Sequence, residues 1–185
     1  GQAMNSPLTN ITIQLNGNNV ACQTGESLLQ VAKRVGIAIP HLCYKEGMAA
    51  AGNCRACVVE IKGERSLAPS CCRSATAGME VQANSERAVK SQKMVLEMLL
   101  SDMPDTGYKW SETDESQQHG ELSDWAARMG VTVRPELRAL RREQPRTDVS
   151  HPAMAVNLDA CIQCNRCVRA CREEQGNNVI GMAWR

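Results

Sequence analysis

The sequence predicts an α+β fold. Apolar residues alternate near the amino end, an apolar stripe of helical period follows at once, and further short β-rich stretches flank a cysteine-bearing loop. In residues 8–15, Leu8, Ile11, Ile13 and Leu15 fall in near alternation, which predicts a strand. NGNN at 16–19 predicts a turn, and VACQ at 20–23 the returning strand. In TGESLLQVAKRVG, Leu28, Ala32 and Val35 share one helical face; Thr24 or Ser27 suits the amino cap and Gly36 the end. After the cysteine loop, residues 57–71 hold two short strands around Gly63-Glu64, and residues 79–83 add an edge strand. Together these elements make a small mixed sheet crossed by one helix, a β-grasp arrangement over residues 8–84.

From 85 to 100, Ala88, Gln92, Val95 and Leu99, with Val89 and Leu96 beside them, predict an amphipathic helix capped by Ser85. It opens a helical connector over residues 85–150. Residues 102–120 are polar and read as loop. Leu122, Trp125, Ala126 and Met129 then recur at helical spacing before Gly130, and Pro135 suits the first turn of a helix reaching Arg142. Five arginines lie between Arg134 and Arg146; diluted by Glu136 and Glu143, they predict a solvated helix face rather than a dock for an acidic partner. Residues 1–7 are set apart as a tag scar, GQA, and a flexible amino end, with Met4 the expected initiator. Residues 151–185 form the last segment.

A chain of 185 residues, 43% of them hydrophobic, can build one ordinary domain or two small ones. No apolar run approaches the roughly 18 residues of a membrane span, and no secretory signal opens the chain, so a cytoplasmic protein without membrane insertion is expected. Twenty-one basic against twenty acidic side chains leave a net charge of +1, too little to draw in nucleic acid. Phe is absent, and three Trp and two Tyr make base-stacking platforms scarce. Ten cysteines in a reducing compartment are expected to stay reduced, and grouped thiols there usually hold metal.

Cys43, Cys54, Cys57 and Cys71 are separated by gaps of ten, two and thirteen residues. The Cys54–Cys57 pair turns two sulfurs toward one site, but zinc, redox dithiol and iron-sulfur centres all use such a pair. Two features favour iron and sulfide. The small residues of EGMAAAGN permit close backbone approach and leave N–H groups free to face a buried anionic centre. Cys71 arrives from the far end of a strand pair, so the four ligands enclose a site at one edge of the sheet. With these gaps, PHLCY, GNCRACVVE and PSC resemble the amino-terminal 2Fe-2S domain of the large iron-sulfur subunit of respiratory complex I, NAD-reducing hydrogenases and NAD-dependent molybdenum or tungsten formate dehydrogenases. The resemblance covers residues 8–100 and implies a 2Fe-2S cluster on Cys43, Cys54, Cys57 and Cys71. Adjacent strand residues point to opposite faces, so only one of Cys71 and Cys72 is expected to face the site; the resemblance implies Cys71, which falls where the family's ligand lies, and leaves Cys72 as a spare thiol. Cys22 reads as a small core hydrophobe.

CIQCNRCVRAC places Cys161, Cys164, Cys167 and Cys171 at gaps of two, two and three, the bacterial ferredoxin run. The first three are expected to bind a 4Fe-4S cluster. Cys171 would serve a neighbouring cluster or act as the fourth ligand, and the segment is expected to be the first half of a ferredoxin-like domain in a fragment of a larger subunit. The stretch around this run looks most like the formate dehydrogenase branch. Complex I subunits carry a further His and three Cys between the two regions. Here Met103 stands where that histidine would sit and no cysteine occurs between Arg73 and Ala160, so that cluster is expected to be missing. His119 and His151 then read as loop histidines. His41, two residues before Cys43, reads as a loop residue with a possible donor role toward the cluster.

The resemblance implies an electron-transfer module with no catalytic residue of its own, a component of an NAD-dependent oxidoreductase. It would relay single electrons between a formate-oxidising molybdopterin-type site elsewhere and flavin/NAD-binding diaphorase-type subunits. A subunit of an NAD-reducing hydrogenase, a free-standing ferredoxin, and a zinc-stabilised interaction module are the alternatives.

Overall fold

The computed structural model describes residues 9–103, 120–141, 143 and 146–182. The chain divides into two compact units, Gly1–Gln92 and Lys93–Arg185.

In the first unit, β1 (Asn10–Leu15) and β2 (Asn18–Gln23) pair antiparallel. Asn16 and Gly17 between them both take positive φ, 51° and 84°, as a two-residue hairpin turn matched to the strand twist requires. Helix α1 (Leu28–Arg34) starts at Ser27, the right one of the two expected caps: its hydroxyl accepts from the Gln30 N–H, and the Gln30 side chain accepts from the Ser27 N–H. Gly36 ends the helix as expected, with φ of 79° just beyond the carboxyl cap. Val35 is its carboxyl cap and 40% exposed, while Leu28, Leu29, Val31 and Ala32 are buried.

Strands β3 (Val58–Ile61), β4 (Ala68–Pro69) and β5 (Glu80–Gln82) complete a sheet of order β2-β1-β5-β3-β4. β5, expected at an edge, is instead the central strand, parallel to β1 and antiparallel to β3. Its three residues contain one apolar side chain, Val81, too short a pattern to distinguish centre from edge. Its parallel pairing with β1 is a contact between chain segments far apart in sequence. Ile13, Leu15, Val59 and Val81 from the sheet meet Leu28, Val31 and Ala32 from α1 in one core. Each large aliphatic side chain so buried contributes about 1.5–3 kcal/mol. Cys22 lies in this core, as expected, and its burial pushes the thiol pKa up.

Helix α2 (Glu86–Ser101) begins at Ser85, whose hydroxyl accepts from the Ala88 N–H at 3.1 Å. Ala88, Gln92 and Leu96 form its buried stripe. Gln92 is tolerated there because its amide nitrogen donates to the carbonyls of Val58 (2.9 Å) and Ala83 (3.1 Å).

In the second unit, α3 (Glu121–Met129) buries Leu122 and Ala126 and ends at Gly130 in the left-handed conformation. Helix α4 covers only Pro135–Arg138, not the stretch to Arg142 that was expected. It buries no residue, and Leu140 beyond it is 75% exposed, so no apolar face rewards a longer helix. Nor are the arginines simply solvated. Arg134 pairs with Glu97 at 2.8 Å, Arg138 donates to the carbonyls of Ser101 and Met103, and Arg141 pairs with Asp159 at 3.2 Å. A small exposed hairpin, β6 (Asp148–His151) and β7 (Met154–Val156), straddles the expected boundary between the helical connector and the last segment. Every residue of both strands is exposed, so no alternation of apolar and polar positions announced them. Helix α5 (Arg166–Arg169) runs into a π turn, Ala170–Glu174. The expected flexible amino end, most of the 102–120 loop, and His119 lie outside the described residues. Among the described residues no helix is long and apolar enough to cross a membrane.

Candidate metal centre

Cys43 sits in the long loop between α1 and β3, Cys54 and Cys57 near its end, and Cys71 in the turn after β4. Backbone geometry fixes each. Gly52 and Arg55 take φ of 64° and 61°, turning the chain back between Cys43 and Cys57. The turn bearing Cys71 is held against α1: the Leu29 N–H donates to the Ser70 carbonyl at 3.0 Å and the Leu28 N–H to the Arg73 carbonyl at 2.9 Å. Two otherwise unpaired helix donors thereby clamp both sides of the cysteine. Ser70, fully buried, donates its hydroxyl to the Cys57 carbonyl at 2.6 Å.

These supports bring the four thiols together. Cys43 touches Cys54 and Cys71, and Cys71 touches Cys57, so the sulfurs form a continuous string. Cys43, Cys57 and Cys71 are buried and Cys54 is half-buried. The Cys54 and Cys71 thiols hydrogen-bond to Cys43 and hold its pKa down to about 2, aided by the N–H groups of Cys54 and Asn53. Cys57 is held down to about 6, chiefly by the Cys71 thiol, with the Cys71 N–H and the Ser70 hydroxyl assisting. Cys54 and Cys71 are pushed up by the same contacts and by burial. The Ala56 N–H also faces the Cys54 sulfur. Four soft sulfurs ringed by backbone N–H donors match an anionic iron-sulfide core, whose charge such donors offset. Among the described residues, no three His, Cys, Asp or Glu side chains converge as the ligands of one ion would.

The expectation that only one of Cys71 and Cys72 can face the site rested on strand alternation, and that premise does not hold. Both residues lie in a turn, with their sulfurs 3.6 Å apart. His41 has a local setting: Nδ1 lies 2.9 Å from the Ile39 carbonyl, and the ring meets Tyr44 edge-on at 5.9 Å. Ser70, Arg55 and Gly52 are supporting residues that sequence reasoning did not single out. Only Gly52, in a loop already noted for small residues, carried any signal.

In the second run, Gln163 and Asn165 take φ of 56° and 64°, one left-handed residue in each Cys-x-x-Cys turn, as Arg55 is in the first site. Such turns aim successive N–H groups into a concavity suited to an anion. Cys161 and Cys167 are exposed, Cys164 is half-buried, and Cys171 is buried. Cys171 lies in the π turn, its sulfur 3.7 Å from the Asn177 carbonyl. The Asn177 N–H returns a bond to the Cys171 carbonyl at 3.0 Å. His151, expected in a loop, is the last residue of β6, and its Nδ1 accepts from the Ala153 N–H of the β6–β7 turn.

Residues 9–86 match the family described as the 2Fe-2S iron-sulfur cluster binding domain. Over 175 residues the chain is 35% identical to the NADP-reducing hydrogenase subunit HndD of Solidesulfovibrio fructosivorans, covering 92% of this chain and 29% of that protein. It is 31% identical over 189 residues to the mitochondrial NADH-ubiquinone oxidoreductase 78 kDa subunit of Candida albicans, covering 99% and 25%. The chain thus spans under a third of these curated relatives. A crystal structure of an NAD+-reducing [NiFe]-hydrogenase in the H2-reduced state superposes with a TM-score of 0.77 at 29% identity, covering 95% of this chain and 71% of that one.

Proposed function

We propose, on the premise that residues 9–86 form a 2Fe-2S iron-sulfur cluster binding domain, that this chain is an electron-relaying module of an NAD(P)-linked oxidoreductase. The single observation that carries the proposal is the string of four thiols, ringed by backbone N–H groups, at the end of a β-grasp sheet. Cys43, Cys54, Cys57 and Cys71 would hold a 2Fe-2S cluster, and Cys161, Cys164 and Cys167 a 4Fe-4S cluster, with Cys171 as fourth ligand or serving a neighbour. Such clusters supply one-electron redox chemistry when bound. The protein's part is to fix the thiolates, exclude water and place N–H donors against sulfur, which sets the potential. No side chain is required to act as acid, base or nucleophile.

The likeness to NADH- and NAD(P)-linked relatives supports flavin/NAD-binding partner subunits. Within that class two partners compete for the far end of the relay. The sequence around Cys161–Cys171 favours a formate-oxidising, molybdopterin-type site, whereas the hydrogenase likenesses favour a hydrogen-oxidising one.

The test is anaerobic reconstitution with ferrous iron and sulfide. The expected product is brown, carries equimolar iron and sulfide, and after reduction gives electron spin resonance signals from two cluster types. A colourless chain saturated with zinc, with no affinity for iron and sulfide together, overturns the proposal.

A further inference from the structure

Cys72 has been left without a role, yet its surroundings are those of a ligand. Its sulfur lies 3.6 Å from that of Cys71, and it is exposed where Cys71 is buried. Two thiolates on one tetrahedral metal, each at about 2.3 Å, sit about 3.7 Å apart, so one iron can reach either sulfur with little movement of the turn. That turn is anchored on both sides. The Cys72 and Arg73 N–H groups donate to the Pro69 carbonyl at 3.1 Å, and α1 grips Ser70 and Arg73 from the other side. The opposing loop is shaped to the thiol: a Cβ added at Gly52 would stand 2.7 Å from the Cys72 sulfur. Gly52 therefore leaves room for Cys72 above the site where any other residue would push it aside.

We propose that Cys72 is a reserve ligand of the first centre, able to take over the iron bound by Cys71. This rests on the assignment of that centre to Cys43, Cys54, Cys57 and Cys71. In the exchange the Cys71–iron bond breaks and a Cys72–iron bond forms. Cys72 gives its thiol proton to solvent and Cys71 takes one up, so neither charge nor oxidation state changes. The domain thus keeps its cluster when Cys71 is blocked, with the iron moved toward the exposed side of the turn.

The test uses the full chain reconstituted with iron and sulfide, in wild type, Cys71→Ser, Cys72→Ala and the double variant. Cys71→Ser preserves size, so folding is retained; far-ultraviolet circular dichroism checks this. The wild type and Cys72→Ala are expected to give the same spectrum. Cys71→Ser is expected to keep a thiolate-type visible spectrum, and Cys72 in it to react with N-ethylmaleimide about tenfold more slowly than in the wild-type holoprotein, because a bound thiolate is withheld from the reagent. The double variant should lose the 2Fe-2S electron spin resonance signal, while the signal of the second centre remains. Retention of a cluster in Cys71→Ser with Cys72 still fully reactive, as serine oxygen ligation would give, overturns the proposal. So does total loss of the cluster in that variant while it stays folded. If Cys71→Ser does not fold, Cys71→Ala is read in its place: it must keep the first cluster with Cys72 protected from N-ethylmaleimide, and loss of the cluster or a fully reactive Cys72 overturns the proposal. A wild-type chain that takes up no iron and sulfide at residues 9–92 refutes the underlying assignment instead, and is read separately.

Discussion

The two cysteine groups use the same local device and differ in what surrounds it. Each Cys-x-x-Cys turn contains a left-handed residue, Arg55 in one case and Gln163 and Asn165 in the other, a backbone form that can turn successive N–H groups toward one point; in the first site the N–H groups of Asn53, Cys54 and Ala56 face the sulfurs. Around Cys43–Cys71 that turn is built into a sheet domain. Three of its four thiols are buried, and the helix α1 donors and the Ser70 hydroxyl hold the loops in place. Around Cys161–Cys171 only Cys171 is buried, and the second half of the run is a four-residue helix bearing Cys167 and a π turn bearing Cys171. The first site is preorganised by a hydrophobic core; the second depends more on the chain immediately around it. Burial of sulfur and density of N–H donors are levers on both potential and stability of a cluster, so the two centres should differ in both.

The largest effects come from removing a ligand on each side. Cys57→Ala should abolish the 2Fe-2S signals and leave the 4Fe-4S signals, and Cys167→Ala should do the reverse, read by electron spin resonance with iron and sulfide counts. If either substitution erased both sets of signals, the two regions would not be independent centres.

Next in size is the core beneath the first site. Leu15 is 1% exposed and packs in the cluster that includes Cys57 and Cys71. Leu15→Ala should cost about 2–5 kcal/mol of unfolding free energy, measured by urea denaturation at fixed cluster content. Loss of the 2Fe-2S signal should accompany that transition, while a signal from Cys161–Cys171 should follow a different one. Coincident loss would mean that the second site also depends on this core.

How much of this was legible in the sequence follows the range of the interactions. The cysteine spacings, the Asn16-Gly17 turn, the Ser27 and Ser85 caps and the apolar stripe of α2 are local patterns, and each appears in the structure. The central place of β5 was not legible, because three residues with one buried side chain carry no face and parallel pairing with β1 is non-local. The exposed β6–β7 hairpin was missed for want of any burial pattern. The shared side of Cys71 and Cys72 was hidden because they lie in a turn, where strand alternation has no force. Ser70 was illegible for a different reason: a serine beside a cysteine is commonplace, and only the fold shows its hydroxyl against the Cys57 carbonyl.

A smaller effect separates the two sites kinetically. An iron chelator reaches exposed thiolates sooner than buried ones, so bathophenanthroline should strip iron from Cys161, Cys164 and Cys167 faster than from the first site. A rate ratio of about tenfold corresponds to 1.4 kcal/mol in barrier height. Equal rates, followed by absorbance under anaerobic conditions, would show that burial of the thiols does not control release.

The smallest expected effect tests the support of the first site from its far side. Glu26 immediately precedes the α1 cap, and its carboxylate accepts from Arg34 Nε at 3.0 Å, Arg34 Nη2 at 3.1 Å and the Gln23 N–H at 3.1 Å. The Arg34 hydrogen bond holds its pKa below the usual carboxylate value, with the Gln23 N–H assisting and burial opposing. A carboxylate depressed in the folded state stabilises fully above its unfolded pKa of about 4.3, and that contribution disappears as the pH falls through the depressed value. The wild type should therefore exceed Glu26→Gln in stability at pH 7, with the difference shrinking below about pH 4.3. Arg34 is 48% exposed, so water and salt screen the pair and the difference should be small and diminish further in high salt. Denaturation of both chains from pH 3 to 7, at matched iron content, checks this. A difference that grew toward acid pH would mean that Glu26 is stabilised as the neutral acid, and that the ion pair does not brace the start of α1.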